Sequence, residues 1–348
     1  MRRRLVSLLS IGLTLACNTT PAMAPDMGAP PDANIDAGNG MRTITLPSAV
    51  TGTMTATNPA MLSCVGHQTA PTPGGSVSFT LNLLSFGENG DHAPNTNVCF
   101  CAGNVFAPQS LAALSTGQCG TGCMFVTTDA SGHATVSGMA NGWYAYRVFA
   151  TMPAGPTART TFLDSIQINE PTPAASGATV DGNAVSALIA NVVSQAELIP
   201  RTPATTTFAG RVRDCHGDNV QGAIVRAFHA DGTEIIEDPN GPTSAPHYRF
   251  FSGDGSTPDS GATNTAIDGL YVGLNVPPCS HPAATGMLCP TGSTELVRLE
   301  AWAYTGTDPM GTAVRIGCEA AQAFPDGVSI VNIGPTRSDY PAGHPCHM

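Results

Sequence analysis

The residues best placed to do chemistry in this chain are its cysteines, of which there are eleven. Cys99 and Cys101 alternate along one run, and Cys119 and Cys123 follow about twenty residues later. Four thiolates at that spacing can hold a tetrahedral zinc ion. The same four can close two disulfides, and Cys99 and Cys101 on one strand face suit either outcome. Cys64 lies before them, and Cys215, Cys279, Cys289, Cys318 and Cys346 lie beyond. Setting Cys17 apart leaves an even number, which suits a disulfide framework in an exported protein. Five lie before residue 171 and five after residue 203. Either one bridge joins the halves, or each half keeps a free thiol. Disulfides, with no metal, are the expectation.

The other reactive side chains form no recognisable machinery. Nine histidines are scattered: His67, His92, His133, His216, His229, His247, His281, His344 and His347. No H-E-x-x-H helix, G-x-S-x-G elbow, P-loop or dinucleotide fingerprint is present. No catalytic residue and no cofactor are expected. The tail Gly343-His344-Pro345-Cys346-His347-Met348 reads as a structural cysteine flanked by exposed histidines, with copper or zinc binding as the alternative. Asp231, Asp238, Asp254, Asp259 and Asp268 sit among Gly, Ser and Asn without an ordered Ca²⁺ spacing, and read as solvated turns. Trp143, Tyr144, Tyr146 and Arg147 share one run, and Trp302 and Tyr304 another. Trp143 and Trp302 are candidate platforms for a sugar or a protein partner, although alternation must bury part of each set.

Composition narrows the function classes. The net charge is −11, and all 14 basic residues are arginine. The sole basic cluster is Arg2-Arg3-Arg4. Nucleic acid is excluded as a partner, because neutralising phosphates needs Lys/Arg patches. Charged residues make up 11% and aromatics 6%, with 38 Gly and 29 Pro. Many short strands and turns fit that balance better than long helices.

Residues 1–17, MRRRLVSLLSIGLTLAC, pair a basic start with an apolar run too short to span a bilayer comfortably. The run ends at Cys17, and the segment resembles a bacterial lipoprotein signal, which implies that Cys17 is lipidated and holds the chain to a membrane. Thr14 stands where that family usually has Leu, and an ordinary cleaved signal is the alternative. Asn18, in place of Asp, resembles lipoproteins exported to the outer membrane, facing the periplasm or the cell surface. Residues 18–41 are Pro/Ala/Asp/Gly-rich and read as a disordered tether, with a reach of roughly 25 Å as a coil to 70 Å extended.

The elements that must position these residues read as strands. Val77, Phe79, Leu81 and Leu83 alternate with polar neighbours, and Trp143–Ala150, 160–169, Leu296–Tyr304 and Gly327–Ile333 supply others. Residues 171–203 form a connector. Within it Val185, Leu188, Ile189, Val192 and Ala196 recur at helical spacing, which predicts one short helix packed by that stripe. The organising stretch is 205–278. Phe208, Gly210 and Val212 alternate, Asp214–Asp218 turns the chain, Ala223–Phe228 returns, and Asp231-Gly232 and Asp268-Gly269 turn it again. An earlier segment echoes this pattern, with Pro94, Cys99 and Cys101 against Val220, Val225 and Ala227, and Thr128–Gly132 against Thr265–Gly269.

Gly210, Val212, Asp214, Gly217, Val220, Gly222, Ala223 and Val225, with Thr265, Gly269 and Tyr271, resemble the transthyretin-like regulatory modules of carboxypeptidases. The resemblance covers residues 205–278 and implies a small antiparallel β-sandwich; it carries no activity. Intradiol ring-cleaving dioxygenases share that opening, and their iron needs two Tyr and two His. Tyr271 fits, but the R-P-x-H-I-H run is missing, leaving His229, His247 and Tyr248 as the nearest substitutes. The expectation is an all-β chain of two antiparallel transthyretin-like (Ig-like) sandwiches, over 42–170 and 204–348, with one connecting helix. It is read as a non-enzymatic envelope lipoprotein, structural, adhesive or ligand-binding. The membrane, through the lipid, is its first partner, and an envelope protein or a glycan the second.

Overall fold

The computed structural model describes residues 62–69, 72–86, 92–103, 114, 119–120, 122–149, 162–237, 242–252, 258–259, 261–280, 289, 292–304, 313–340 and 343–347. Cys17, the leader and the 18–41 tether lie outside the described residues.

The chain is all-β with one short helix among the described residues, as its composition and alternation predict. Its first half supplies β1 (Ser76–Phe86), β2 (Asn97–Ala102), β3 (Met124–Thr127), β4 (His133–Met139), β5 (Trp143–Val148), β6 (Ser165–Pro171) and β7 (Thr179–Val185). Helix α1 (Ala187–Ala196) follows. The second half supplies β8 (Thr206–Arg211), β9 (Ile224–Phe228), β10 (His247–Phe251), β11 (Pro258–Asp259), β12 (Leu270–Val276), β13 (Glu295–Tyr304), β14 (Ala313–Ala323) and β15 (Val328–Ile330).

The two halves repeat one strand plan. In the first, β1 pairs antiparallel with β4 and parallel with β7, while β2 pairs with β5 and β5 with β6. In the second, β8 pairs antiparallel with β12 and parallel with β15, while β9 pairs with β13 and β13 with β14. β3 in the first half, and β10 and β11 in the second, are additions to this plan.

What joins the halves is β15. It lies between β6 and β8, parallel to both, and makes one nine-stranded sheet in the order β11-β10-β12-β8-β15-β6-β5-β2-β3. Two three-stranded sheets, β4-β1-β7 and β14-β13-β9, complete the layers. On β5, Tyr144, Tyr146 and Val148 face Phe79, Leu81 and Leu83 of β1. Ala145 points the other way and packs with Ala320 of β14 and with Phe324. The small sheets therefore cover opposite faces of the large one. Alternation along β1 drives this packing, because each second residue is buried, and burying one large apolar side chain contributes roughly 1.5–3 kcal/mol. β14 is covered on both faces, Ala321 and Ala323 meeting the second-half core and Ala320 the first-half strands. Its run of small residues permits that double contact.

Close approach at the seam explains one glycine. A Cβ on Gly210 would fall 1.7 Å from the Val331 carbonyl oxygen, so no other residue fits where β15 enters. Residues 62–68 also join the second half: Leu62 and Val65 pack with Phe208 and Val212, and Gly66 N–H donates to the Thr336 carbonyl (2.7 Å).

α1 forms where the periodicity predicts, with Ser186 Oγ accepting from Ile189 N–H as the N-cap. Its packing face differs from the expected stripe. Ala190 packs with Val328 and Ile330, Val193 with Val272 and Leu274, and Ser194 is buried, whereas Leu188 and Val192 are exposed. Val185 belongs to β7 and lies two residues before the helix, whose smaller residues Ala190, Val193 and Ser194 make the contacts.

Candidate functional site

The ten cysteines from Cys64 onward form five bridges: Cys64–Cys215, Cys99–Cys119, Cys101–Cys123, Cys279–Cys289 and Cys318–Cys346. Cys64–Cys215 spans 151 residues and is the one that joins the halves, settling the parity of five and five. Cys99 and Cys101 project from β2 onto one face, as their spacing requires, and each ties β2 to the loop that follows it. The sulfurs of Cys99, Cys101 and Cys123 lie within 4.8 Å of one another. They are bridged sulfurs, however, and a disulfide has no thiolate to give a metal.

The aromatic platform does not assemble. Trp302 is 1% exposed and belongs to the second-half core, paired with Ile224 of β9, with its indole N–H donating to Glu300 Oε2 (3.1 Å). It is core, because the face of β13 that carries it is covered. Trp143 is half-buried, and the Arg337 guanidinium lies 4.4 Å from its ring centroid. Tyr144 and Tyr146 are buried. Arg147 is buried on the opposite face of β5, paired with Asp164 (2.7 Å), donating to the Leu114 carbonyl and set between Phe149 and Phe324. Alternation along β5 thus splits the expected set between two cores.

The tail differs from its expectation too. His344 is not exposed; it is 3% accessible and stacks on Tyr340. Its Nδ1 accepts from Cys346 N–H (3.0 Å), so Nε2 carries the proton and donates to Glu319 (2.9 Å). Both nitrogens are used in holding the Cys318–Cys346 bridge in place. His347 is exposed.

The residues nearest a dioxygenase ligand set are engaged as structure. The Tyr271 hydroxyl donates to the Val331 carbonyl (2.7 Å) and that of Tyr248 to the Ile235 carbonyl (2.8 Å). Burial pushes both phenols well above their ordinary value. His229 Nδ1 binds Glu295 Oε2 (2.7 Å), whose other oxygen accepts from Ala230 N–H and Ser280 Oγ. Burial raises the Glu295 carboxyl, but those hydrogen bonds outweigh it and leave the group below its ordinary value. Asp231, Asp259 and Asp268 each accept a backbone N–H two residues on, as turn carboxylates do. Asp238, Asp254 and His281 lie outside the described residues.

One buried polar chain went unread in the sequence. Asn183 N–H donates to the Tyr146 hydroxyl, which donates to Gln167 Oε1 (2.7 Å), and Gln167 Nε2 donates to Glu170 Oε1 (2.6 Å). Burial raises the Glu170 carboxyl to about 7; Gln167 opposes the rise, the Glu319 carboxylate adds to it, and Arg213 opposes it. A carboxyl titrating near neutrality can move protons. Here it ends a chain that runs from β7 of a small sheet to β5 and β6 of the large one, where it satisfies polar groups between the two layers.

No protein-family model matches the chain, and no curated protein matches it in sequence. Among solved structures, the shaft pilin SpaA from Lactobacillus rhamnosus GG is similar over 76% of this chain and 100% of its own, at 14% identity and a TM-score of 0.21. A streptococcal ancillary pilin is similar over 75% of this chain and 62% of its own, at 12% identity and 0.19. An intradiol ring-cleavage dioxygenase from Tetranychus urticae is similar over 32% of this chain and 57% of its own, at 13% identity and 0.16. Likenesses at these scores carry no argument about activity.

Proposed function

We propose that this chain is a non-enzymatic structural module of the cell envelope, held to a membrane through a lipidated Cys17. The observation that carries the structural part is β15, which turns two sandwiches into one unbroken sheet, while Cys64–Cys215 fastens the 62–68 segment to the second half. A protein that works by moving its halves gains nothing from such a seam; one that must keep its shape does. Disulfides form and persist in oxidising compartments, which suits an exported protein. Among the described residues, no helix is long and apolar enough to cross a membrane, so attachment through a lipid is the reading that uses Cys17.

The adhesive part rests on β3. It is one of the two outer strands of the large sheet, and Met124 and Phe125 on it are 39% and 56% exposed. Among the described residues no strand pairs with its outer side, and a strand edge with apolar side chains can pair with another chain, so an envelope protein is favoured over a glycan as the partner.

Metabolic labelling with a fatty-acid probe tests the anchor. The wild-type chain should be labelled and sediment with membranes, and Cys17→Ala should be unlabelled and released. Equal labelling of the two would refute anchoring at Cys17.

A further inference from the structure

The repeat brings together, in the first half alone, a set of side chains that the structural reading does not use. Gly132 (φ 78°) and Gly269 (φ 64°) occupy the same place in the two halves. A Cβ on Gly132 would lie 2.8 Å from both the Leu83 carbonyl oxygen and His92 Cβ; on Gly269 it would lie 2.8 Å from the Val212 carbonyl oxygen and 3.2 Å from Asn219 Cβ. This crossing pins the loop before β2 against the turn into β4. In the second half the crossing carries Asn219 and Leu270, with Arg211 opposite Leu270. In the first half the corresponding residues are His92, His133 and Asn82.

Their hydrogen bonds fix which ring nitrogen of His92 is the donor. Asn82 lies between His133 on β4 and Asp181 on β7 in register. Its Nδ2 donates to Asp181 Oδ1 (2.7 Å), so its Oδ1 is the atom facing His92 Nδ1 (3.0 Å). His92 Nδ1 therefore carries a hydrogen, which leaves Nε2 as the ring nitrogen a metal ion can take. A second hydrogen bond of this kind, behind a ring, is what orients and strengthens a metal-binding imidazole. The His133 ring stands edge-on to His92, with centroids 5.7 Å apart and planes at 80°. Among the described residues, no hydrogen bond is made by either ring nitrogen of His133 or by His92 Nε2. Asp129, in the same turn, accepts from Ser131 and His133 N–H through Oδ1 alone.

We propose that His92 and His133 form a two-imidazole surface site for a divalent transition-metal ion of the zinc or copper type, with water completing the coordination and Asn82 and Asp181 as positioning residues. Imidazole nitrogen is the ligand class that such borderline ions prefer, whereas Ca²⁺ and Mg²⁺ prefer all-oxygen sites. This stands apart from the sequence expectation of no metal and does not depend on lipid anchoring.

Titration of the purified full chain with Zn²⁺ against a chromophoric chelator tests the site. The wild type should bind one equivalent that His92→Ala and His133→Ala each weaken at least tenfold. Asn82→Ala should weaken it several-fold, although Asn82 touches no metal, while His67→Ala and His347→Ala should leave it unchanged. Zn²⁺ should also raise the melting temperature of the wild type and not of either histidine variant. No binding by the wild type at millimolar Zn²⁺, or an equivalent that both histidine variants retain at full affinity, would overturn the proposal.

Discussion

Thr128 and Thr265 sit 137 positions apart and make the same two hydrogen bonds. Thr265 Oγ1 donates to the Val220 carbonyl (2.7 Å) and accepts from Ala223 N–H (2.9 Å). Thr128 Oγ1 donates to the Ala93 carbonyl (2.7 Å) and accepts from Thr96 N–H (2.9 Å). Both are buried, so each hydroxyl is the local replacement for water at a strand that has left its sheet partner. Valine keeps the shape and removes both bonds, stranding a buried N–H and a buried carbonyl. Thr265→Val and Thr128→Val should each destabilise by about 1–3 kcal/mol, measured by urea unfolding. A change within about 0.3 kcal/mol for either would show that the hydroxyl is not needed.

The seam should be intolerant of added volume. In Gly210→Ala the new methyl collides with the Val331 carbonyl, which already accepts from the Tyr271 hydroxyl. Neither partner is a flexible side-chain tip, so β15 must shift. A loss of about 3 kcal/mol or more is expected, at the upper end for overpacking. Gly217→Ala, in an open turn at φ 82° with nothing within 4 Å of the added atom, should cost about 1 kcal/mol through backbone strain alone.

Stability should fall as the pH rises through neutrality. Glu170 titrates near its ordinary 4.5 in the unfolded chain and at about 7 in the folded one. Between these values the folded protein holds a proton that the unfolded chain has lost. The contribution is complete below about 4.5 and disappears as the pH passes 7. Calorimetry should give a lower melting temperature at pH 8 than at pH 5, and Glu170→Gln should flatten that slope. An unchanged slope in the variant would assign it to other groups. At the acid end Glu295, held below its ordinary value, works with the opposite sign, and its contribution is lost as the pH falls through its folded value.

The bridges should differ in worth. Cys64–Cys215 closes 151 residues and Cys279–Cys289 closes 10. Chain entropy alone assigns about 5 kcal/mol to the first and about 3 to the second. Replacing the pair Cys64 and Cys215 by serine should therefore lower the urea midpoint more than replacing Cys279 and Cys289. The reverse order would mean that the long loop is already constrained in the unfolded chain.

Much of this architecture is legible in the residues because it is local. The alternation of Val77, Phe79, Leu81 and Leu83 marks β1, and Asp268-Gly269 marks the turn before β12. The repeat is legible too, but one position out. Pro94 read against Val220 should be Ala93, since Ala93 N–H donates to Leu83 and Val220 N–H to Val212. The connection from 83 to 93 is two residues longer than that from 212 to 220, and sequence spacing alone cannot place such an insertion. Val98, not Cys99, then stands opposite Val225.

What stayed hidden depends on register between distant strands. Asn82, His92, His133 and Asp181 lie as far as 99 residues apart in the chain, and nothing local says that β7 pairs parallel with β1. Trp302 looked like a platform because alternation names two faces without saying which is covered. β15 is three residues long, too short for its pattern to reveal that it joins two halves.

The central claim is that the halves share one sheet through β15 and open together. Native-state hydrogen exchange on the full chain, resolved to the amides of Thr207, Val328, Val331 and Ile333, tests it most directly. Val328 N–H donates across the junction to the Asp164 carbonyl of the first half, while Thr207, Val331 and Ile333 N–H tie β15 and its flanks to β8 through Gly327, Ala209 and Arg211. The account expects them to exchange only with global unfolding, at the same free energy as the core amides of β1 and β13. Exchange of the Val328 amide at a markedly lower free energy, with the Thr207, Val331 and Ile333 amides and the core of β1 remaining protected, would contradict it.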